Sequence, residues 1–234
     1  MGNKTILSVP QFNQIKSYSC IPACLQEVFG YYGEQISQEE IMEISENPKL
    51  GVALVETGIF SLKHNYKSLI ITNNINIFDP TWFRLDNNKL KLNLNKRAKF
   101  VDDLSKFMID KYIKFLDSGG EINFETINPT LFKKYLSIKV PIIMELASTF
   151  LYKLAKSSCP GRFDDAIKGQ IEGHGVVIAG FDDEDNFLII DPNSKKSPSK
   201  TGVYWVNSAE LMMSFALLEG KSLLLLQKSD SGKS

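Results

Sequence analysis

The spacing of hydrophobic and polar positions changes along the chain. From Cys20 onward, "CIPACLQEVFGYYG" repeats its apolar residues at helical spacing and ends at Gly33. Similar spacing predicts helices in "SQEEIMEISE", "VALVETGIFSLKHNY", "FVDDLSKFMIDKYIKFLDSGG", "NPTLFKKYLSI", "STFLYKLAKS" and "SAELMMSFAL". Short apolar runs predict strands in "KSLIIT", "VPIIMEL", "HGVVIAGF", "NFLIID", "GVYWVN" and "SLLLLQK", and "KTILSVPQF" also has strand-like content.

The order of these elements predicts an α+β fold, with N-terminal helices packed on a C-terminal antiparallel sheet. Strands and helices do not alternate as they do in a doubly wound sheet. "NNINIFDPTWFRLDNNKLKLNLNKRAKF" is rich in Asn and Lys with alternating apolar positions, which predicts short strands or an irregular segment. We therefore expect a single domain over residues 1–228 with an insertion at about 74–135. Residues 229–234 form a polar tail, expected to be disordered.

Composition narrows the classes of function. The 234 residues include 27 basic and 27 acidic side chains, so no overall field favours nucleic acid. No apolar run approaches the ~20 residues that span a bilayer, and the N-terminus lacks the apolar core of a signal peptide. These features predict a cytoplasmic protein without a membrane span, and leave open a trimmed leader or secretion without one. Three cysteines do not suggest a disulfide framework.

Cys20 is the candidate nucleophile. It occupies the first turn of a predicted helix, where unpaired amides and the positive end of the helix dipole favour a thiolate. Cys24 lies one turn further inside the helix and is expected in the core beneath the site. Cys159, in "SSCPGRF", is expected in a loop with no partner. A small buried thiol is the alternative interpretation of Cys20.

His174 is the candidate base. The chain has 2 histidines, and His64 lies at a helix end beside lysines, where we expect it to face solvent. His174 begins an apolar strand between Gly173 and Gly175, which leave room for the imidazole and for close approach of a substrate. A purely structural histidine remains the alternative.

Asp191 is the candidate that orients the imidazole. If the hairpin turn is centred on residues 182–185, the position opposite His174 is about 193. Asp191 is then a diagonal neighbour on the same face, within reach of a hydrogen bond, and Asn193 is the second candidate. A carboxylate on one ring nitrogen would fix the tautomer and leave the other nitrogen as the base.

Gln14, six positions before Cys20, could donate a hydrogen bond to an oxyanion together with the backbone amide of Cys20. Gln11 competes for this role, and a plain loop amide is the alternative. A metal site built from Cys20, Cys24 and His174 is the weaker hypothesis, because zinc ligands usually come in closer pairs with a fourth ligand. We therefore predict no metal and no cofactor.

Cysteine, histidine and aspartate in this order resemble the papain-like cysteine peptidases. "VPQFNQIKSYSCIPACLQEVFGYYG" is similar to the start of the C39 peptidase family, the bacteriocin-processing domains that cut leader peptides after a double glycine. "GHGVVIAGFDDEDNFLIIDP" resembles the second block of that family. The resemblance implies a papain-like fold with Cys20 as nucleophile, His174 as base, Asp191 as orienting group and Gln14 as oxyanion donor.

The sequence departs from the family in two places. Ile21 follows Cys20 where the family usually has glycine, and this side chain could crowd the cleft. The interval from Cys20 to His174 is also longer than in the leader peptidases, with the excess at about residues 74–135. That insertion would be either a lid or a partner-binding surface. With no transporter in the sequence, the chain resembles the stand-alone C39-like group.

The sequence predicts a cysteine peptidase or amide hydrolase that acts through an acyl-enzyme on a peptide or isopeptide bond of a peptide or protein substrate. Two alternatives stay open. The first is an acyltransferase, deamidase or transglutaminase-like enzyme on the same triad. The second is a non-catalytic binding module that retains the fold.

Overall fold

A computed structural model describes residues 4–45 and 51–229 of the chain. The α-helices of these residues are α1 Cys20–Tyr31, α2 Gln38–Met42, α3 Leu54–Lys63, α4 Asn87–Arg97, α5 Asp103–Asp117, α6 Pro129–Ser137, α7 Ser148–Leu151 and α8 Ser208–Ala216. A 3-10 helix covers Pro80–Arg84. No helix in this part of the chain is long and apolar enough to cross a membrane. The predicted tail lies outside the described residues except for Ser229.

The strands form one large sheet and one small hairpin. They are β1 Thr5–Ile6, β2 Tyr66–Thr72, β3 Glu121–Asn123, β4 Ile142–Ala147, β5 Ser157–Cys159, β6 Arg162–Phe163, β7 Gly173–Phe181, β8 Asn186–Ile190, β9 Val203–Asn207 and β10 Ser222–Lys228. The large sheet has the order β3-β2-β10-β4-β7-β8-β9, with β1 also paired to β7. β5 and β6 pair only with each other among the named strands.

The α+β class is confirmed, but the sheet is not confined to the C-terminal part of the chain. β2 pairs antiparallel with β10 along its whole length, and β3 pairs parallel with β2 at the sheet edge. β10 is a strongly apolar strand, and a buried strand needs hydrogen-bonding neighbours on both sides. β4 occupies one side of β10 and β2 occupies the other.

The helices cover this sheet and position the functional residues. α1 packs against β7, α3 against β2 and β10, α6 against β7 and β4, and α8 against β4. The buried residues of α1 include Cys24, Leu25 and Val28, which join the main core. The N-terminus of α1 is therefore held close to the N-terminal end of β7.

The expected short strands between residues 74 and 100 are not found among the described residues. Instead, the segment contains the 3-10 helix and α4. Leu90 and Leu94 are buried one turn apart, whereas Leu92 between them is 54% exposed. Asp86 caps the helix by accepting a hydrogen bond from the Lys89 amide. Leucines at every second position fit the period of a strand, but Leu90 and Leu94 are also one helical turn apart. The segment forms the helix.

The helix predicted in "STFLYKLAKS" is limited to the single turn of α7. Lys153 has a φ of 55°, in the left-handed region, which ends the helix. The chain then forms the β5–β6 hairpin around Gly161, whose φ is 80°. The amide of Gly161 donates a hydrogen bond of 2.8 Å to Glu172, directly before β7. This unpredicted hairpin therefore lies beside the start of β7.

The predicted insertion packs tightly against the rest of the described chain. α5 lies on α3, where a Cβ on Gly58 would come within 2.8 Å of the Phe115 ring. A buried ion pair of 3.0 Å joins Nζ of Lys111 in α5 to Oε1 of Glu56 in α3. β3 lies within residues 74–135 and extends the sheet beside β2. α6 overlaps the end of this range and packs on β7 and β4.

Candidate active site

Cys20 is the first residue of α1 and is half-buried. The amides in the first turn of a helix have no acceptor within the helix, so they are available to a group at this end. Ser19, the N-cap residue, is fully buried and uses its hydroxyl oxygen to accept a hydrogen bond of 3.0 Å from the Lys16 amide. The chain entering α1 is thus fixed immediately before the cysteine.

Gln38 organises the loop that leads to Cys20. This buried residue of α2 accepts hydrogen bonds from the Ile15 amide and the Ser19 hydroxyl, both at 3.1 Å. Its amide nitrogen donates to the Asn13 carbonyl at 2.9 Å and to the Gln26 side chain at 3.0 Å. Gln38 could not be identified from the sequence, because a glutamine beside a helix cap is usually on the surface. Its role is visible only in the tertiary structure.

His174 lies in the first residues of β7, where it pairs with Leu146 of β4. Its side chain is 6% exposed, and Nε2 makes a hydrogen bond of 2.8 Å with Oδ1 of Asp191. Cys20 lines the same cleft as His174, close enough for its side chain to raise the pKa of the ring. Because Nε2 is occupied by the carboxylate, Nδ1 is the ring nitrogen left for Cys20.

The electrostatics of this pair favour a protonated imidazole. Burial lowers the pKa of His174, but the Asp191 carboxylate and the Cys20 side chain outweigh it and raise the pKa to about 10. Burial likewise acts to raise the pKa of Asp191, yet the attraction of His174 and its hydrogen bonds bring that pKa below the usual value. A charged imidazolium beside an ionised Asp191 follows from both shifts.

Asp191 is fully buried and its carboxylate accepts hydrogen bonds from four groups. Oδ1 accepts from His174 and from the Asn193 amide, both at 2.8 Å. Oδ2 accepts from the hydroxyls of Tyr152, at 2.8 Å, and Tyr204, at 2.6 Å. The two tyrosines were not identified from the sequence. Asn193, the second candidate for orienting His174, contacts Asp191 through its backbone instead.

The two glutamines near the N-terminus have different contacts. Nε2 of Gln11 donates to the Asp191 carbonyl oxygen at 3.1 Å. The Gln14 backbone amide donates to the Pro192 carbonyl at 2.8 Å, and its Nε2 donates to the Lys16 carbonyl at 2.8 Å. Oε1 of Gln14 is buried and has no hydrogen-bond partner among the described residues. These contacts fasten the loop before Cys20 to the turn after Asp191.

The other cysteines and the second histidine lie apart from this contact network. Cys24 is fully buried, as expected, and burial raises the pKa of its thiol well above the usual value. Cys159 lies in strand β5 and not in a loop as expected; it is exposed and lines the same cleft as Cys20. His64 does not face solvent as expected: it is half-buried and stacks on Phe60 with ring centroids 4.3 Å apart.

Ile21, the residue expected to crowd the cleft, forms part of its wall. Its side chain is 3% exposed and lies against the backbone of β7. A Cβ placed on Gly175 would come within 2.5 Å of Cδ1 of Ile21. The absence of a side chain at Gly175 therefore creates the space that Ile21 occupies.

Cys20 and His174 open onto a cleft of about 510 Å³. Its walls come from the loop before α1, the first residues of α1, the segment leading into α3, β4, the β5–β6 hairpin, and the residues that lead into and begin β7. No group of three or more His, Cys, Asp or Glu side chains in the described parts of the chain is arranged to hold a metal ion. This arrangement can perform nucleophilic attack with proton transfer, because an imidazole lies near the thiol and a carboxylate lies behind the imidazole.

Similarity to solved structures defines the class of this fold. A protein from Bacillus anthracis assigned as a C39-like peptidase matches with a TM-score of 0.54 at 14% identity, over 97% of this chain and 98% of that one. The chain therefore has the fold of a C39-like, papain-like peptidase, as the sequence resemblance implied. At this level of identity the similarity establishes the fold alone.

Two further structures are similar at lower scores. The peptidase domain of Streptococcus ComA, a bifunctional ABC transporter of a quorum-sensing pathway, matches with a TM-score of 0.46 and 16% identity, over 93% of this chain and 97% of that one. A double-glycine-motif protease from an AMS/PCAT transporter, in complex with the leader peptide, matches with a TM-score of 0.48 and 13% identity, over 97% and 99%. No protein-family model matches the sequence, and no curated protein matches it significantly.

Proposed function

We propose that the protein is a cysteine peptidase or amide hydrolase that acts on a peptide or isopeptide bond through an acyl-enzyme. The observation that carries this proposal is the hydrogen bond of 2.8 Å between His174 and a fully buried Asp191, with Cys20 and His174 lining the same cleft. Support comes also from the cleft, which gives a peptide access to both Cys20 and His174. The C39-like fold agrees with this chemistry but does not establish it.

In the first half of the reaction, the Cys20 thiolate attacks the carbonyl carbon, and a C–S bond forms as the carbonyl oxygen becomes an oxyanion. The C–N bond then breaks, and the proton carried by His174 passes to the leaving amine. In the second half, water attacks the thioester while His174 takes a proton from it. Breaking the C–S bond releases the acid, and the proton on His174 accompanies the regenerated thiolate as an ion pair. Asp191 keeps the ring in one orientation throughout.

The oxyanion needs hydrogen-bond donors in this scheme. The backbone amide of Cys20 is in the first turn of α1 and has no acceptor within the helix. Nε2 of Gln14 carries two N–H groups, of which one is donated to Lys16. We assign the Cys20 amide and the second N–H of Gln14 as the donors. Removal of such a side-chain donor typically lowers the rate by a factor of about 10²–10³.

Hydrolysis and acyl transfer share this site, because they differ in whether water or an amine accepts the acyl group. The test is digestion of a proteome-derived peptide library, with and without hydroxylamine, followed by mass spectrometry. We expect new carboxyl termini in water and hydroxamates with hydroxylamine, since both nucleophiles attack a thioester. Neither product should form with Cys20→Ala, whereas Lys106→Met, a change at an exposed residue outside the cleft, should retain turnover. Equal cleavage by Cys20→Ala would contradict the proposal.

A further inference from the structure

A second cavity, of about 380 Å³, adjoins the catalytic cleft. The two cavities share Gly51, Val52 and Glu145 in their walls. The far side of the second cavity is formed largely by the predicted insertion, where Phe107 and Met108 of α5 contribute apolar surface. A substrate bound at Cys20 could therefore extend a side chain past Glu145 toward α5.

Glu145 stands at the junction of the two cavities. It lies on β4 directly opposite Gly175, one position from the pair formed by Leu146 and His174. Its Oε2 is 3.5 Å from the position that a Cβ on Gly220 would take, so this glycine leaves the carboxylate accessible. The side chain is half-buried, and no hydrogen bond or ion pair joins it to another described residue. Burial raises the pKa of this carboxyl to about 7.

The other carboxylates of the two cavities have partners or lie at the surface. Glu56 is paired with Lys111, and Glu172 accepts a hydrogen bond from the Gly161 amide. Glu219 is exposed. No lysine or arginine is among the described residues that line either cavity. A half-buried carboxylate that has no cationic partner among the described residues and lies next to apolar surface is suited to a ligand that brings the cation.

We propose that Glu145 is a specificity-determining residue that binds a lysine or arginine side chain of the substrate. The methylene stem of such a side chain packs on apolar surface while its charged head reaches a carboxylate. Phe107 and Met108 supply that surface and Glu145 supplies the charge. This inference rests on the proposed function, because it assigns a subsite to the same catalytic cleft.

The test uses two matched sets of acetylated tetrapeptidyl vinyl sulfones that alkylate a cysteine bound in register. One set carries lysine at each of the four positions in turn, and the other carries norleucine, which has nearly the same shape without the charge. The second-order rate of Cys20 alkylation is measured by intact mass for each probe. The ratio of the lysine rate to the norleucine rate cancels differences in the intrinsic reactivity of Cys20 between variants.

For the natural sequence we expect this ratio to reach about tenfold or more at one position, which is the discrimination that a modest ion pair supplies. Glu145→Gln should reduce that ratio to about 1, because the neutral amide gives no charge attraction. The matched control Glu184→Gln changes an exposed carboxylate that lines neither cavity and should keep the ratio within about twofold of the natural value.

Two results would overturn the inference while the proposed function stands. One is a ratio near 1 at all positions in the natural sequence, and the other is a ratio that survives Glu145→Gln. In both cases iodoacetamide must still alkylate Cys20 in a manner that depends on His174. If iodoacetamide shows no dependence on His174, the proposed function fails and the assignment of Glu145 fails with it.

Discussion

The carboxylate of Asp191 is held by four hydrogen bonds from separate segments of the chain. His174, at the start of β7, lies within reach because of the register of the β7–β8 hairpin, and its hydrogen bond is 2.8 Å long. The hydroxyls of Tyr152 and Tyr204 complete the surroundings of this carboxylate. One follows the single turn of α7 and the other is in β9, so only the tertiary fold brings them to the carboxylate.

Gly175 and Ile21 form a pair whose sizes depend on each other. A Cβ at Gly175 would lie 2.5 Å from Cδ1 of Ile21, so Gly175→Ala forces a shift next to both Cys20 and His174. We expect this variant to lose about 1–3 kcal/mol of unfolding free energy, the usual cost of overpacking a core, and to slow alkylation of Cys20. Chemical denaturation and mass spectrometry with iodoacetamide measure the two effects.

Two further variants isolate the steric cause at Gly175. Ile21→Val combined with Gly175→Ala should recover part of the lost stability and reactivity, because it removes Cδ1, the atom at 2.5 Å, and keeps most of the buried side chain. Gly173→Ala is the matched control on the other side of His174, since its Cβ would meet Leu218 at 3.7 Å, an ordinary contact. If Gly173→Ala is as damaging as Gly175→Ala, the space beside Ile21 is not the cause.

At the scale of elements, helices were predictable where caps and spacing agree. α5 and α6 fall within their predicted segments because an Asp or Asn cap precedes a clear amphipathic pattern. α4 was not predicted, because its leucines alternate and only packing decides which of them are buried. β2 and β10 were both predicted as strands, but their pairing is a contact between distant segments that local pattern does not encode.

The ion pair between α5 and α3 joins the predicted insertion to the rest of the fold. Lys111 and Glu56 are 4% and 6% exposed, so removal of one partner leaves a buried charge without compensation. We expect Lys111→Met to lower the unfolding free energy by about 3–5 kcal/mol, as is typical when a buried pair is broken. Urea unfolding followed by circular dichroism measures this change.

Restoring neutrality should restore stability. Glu56→Gln added to Lys111→Met removes the unpaired charge, and the glutamine oxygen can still accept the hydrogen bond of 2.9 Å from the Ala53 amide. Lys106→Met, on the exposed side of α5, is the control and should stay within about 0.5 kcal/mol of the natural protein. If the double variant is no more stable than Lys111→Met, the unpaired charge of Glu56 is not the cause of the lost stability.

Across the whole molecule, two distant sequence segments form one site. The loop of residues 11–19 is tied to Asp191 and Pro192 by Gln11 and by the Gln14 backbone, while α1 packs on β7. The general fold could be predicted because both segments carry recognisable patterns. The wall that α5 gives to the second cavity could not be predicted, because its side chains reach that cavity only after α5 packs on α3.

The most direct test of the catalytic proposal is the rate at which each cysteine is alkylated by iodoacetamide, measured by peptide mass spectrometry at about pH 6, where ordinary thiols are protonated. Cys20 should react at least about tenfold faster than exposed Cys159, because the His174 imidazolium stabilises an adjacent thiolate. His174→Ala should abolish that difference, and the control His64→Gln should retain it. Equal rates for Cys20 and Cys159, or a Cys20 rate unaffected by His174→Ala, would contradict a thiolate–imidazolium pair and favour a binding module on the same fold.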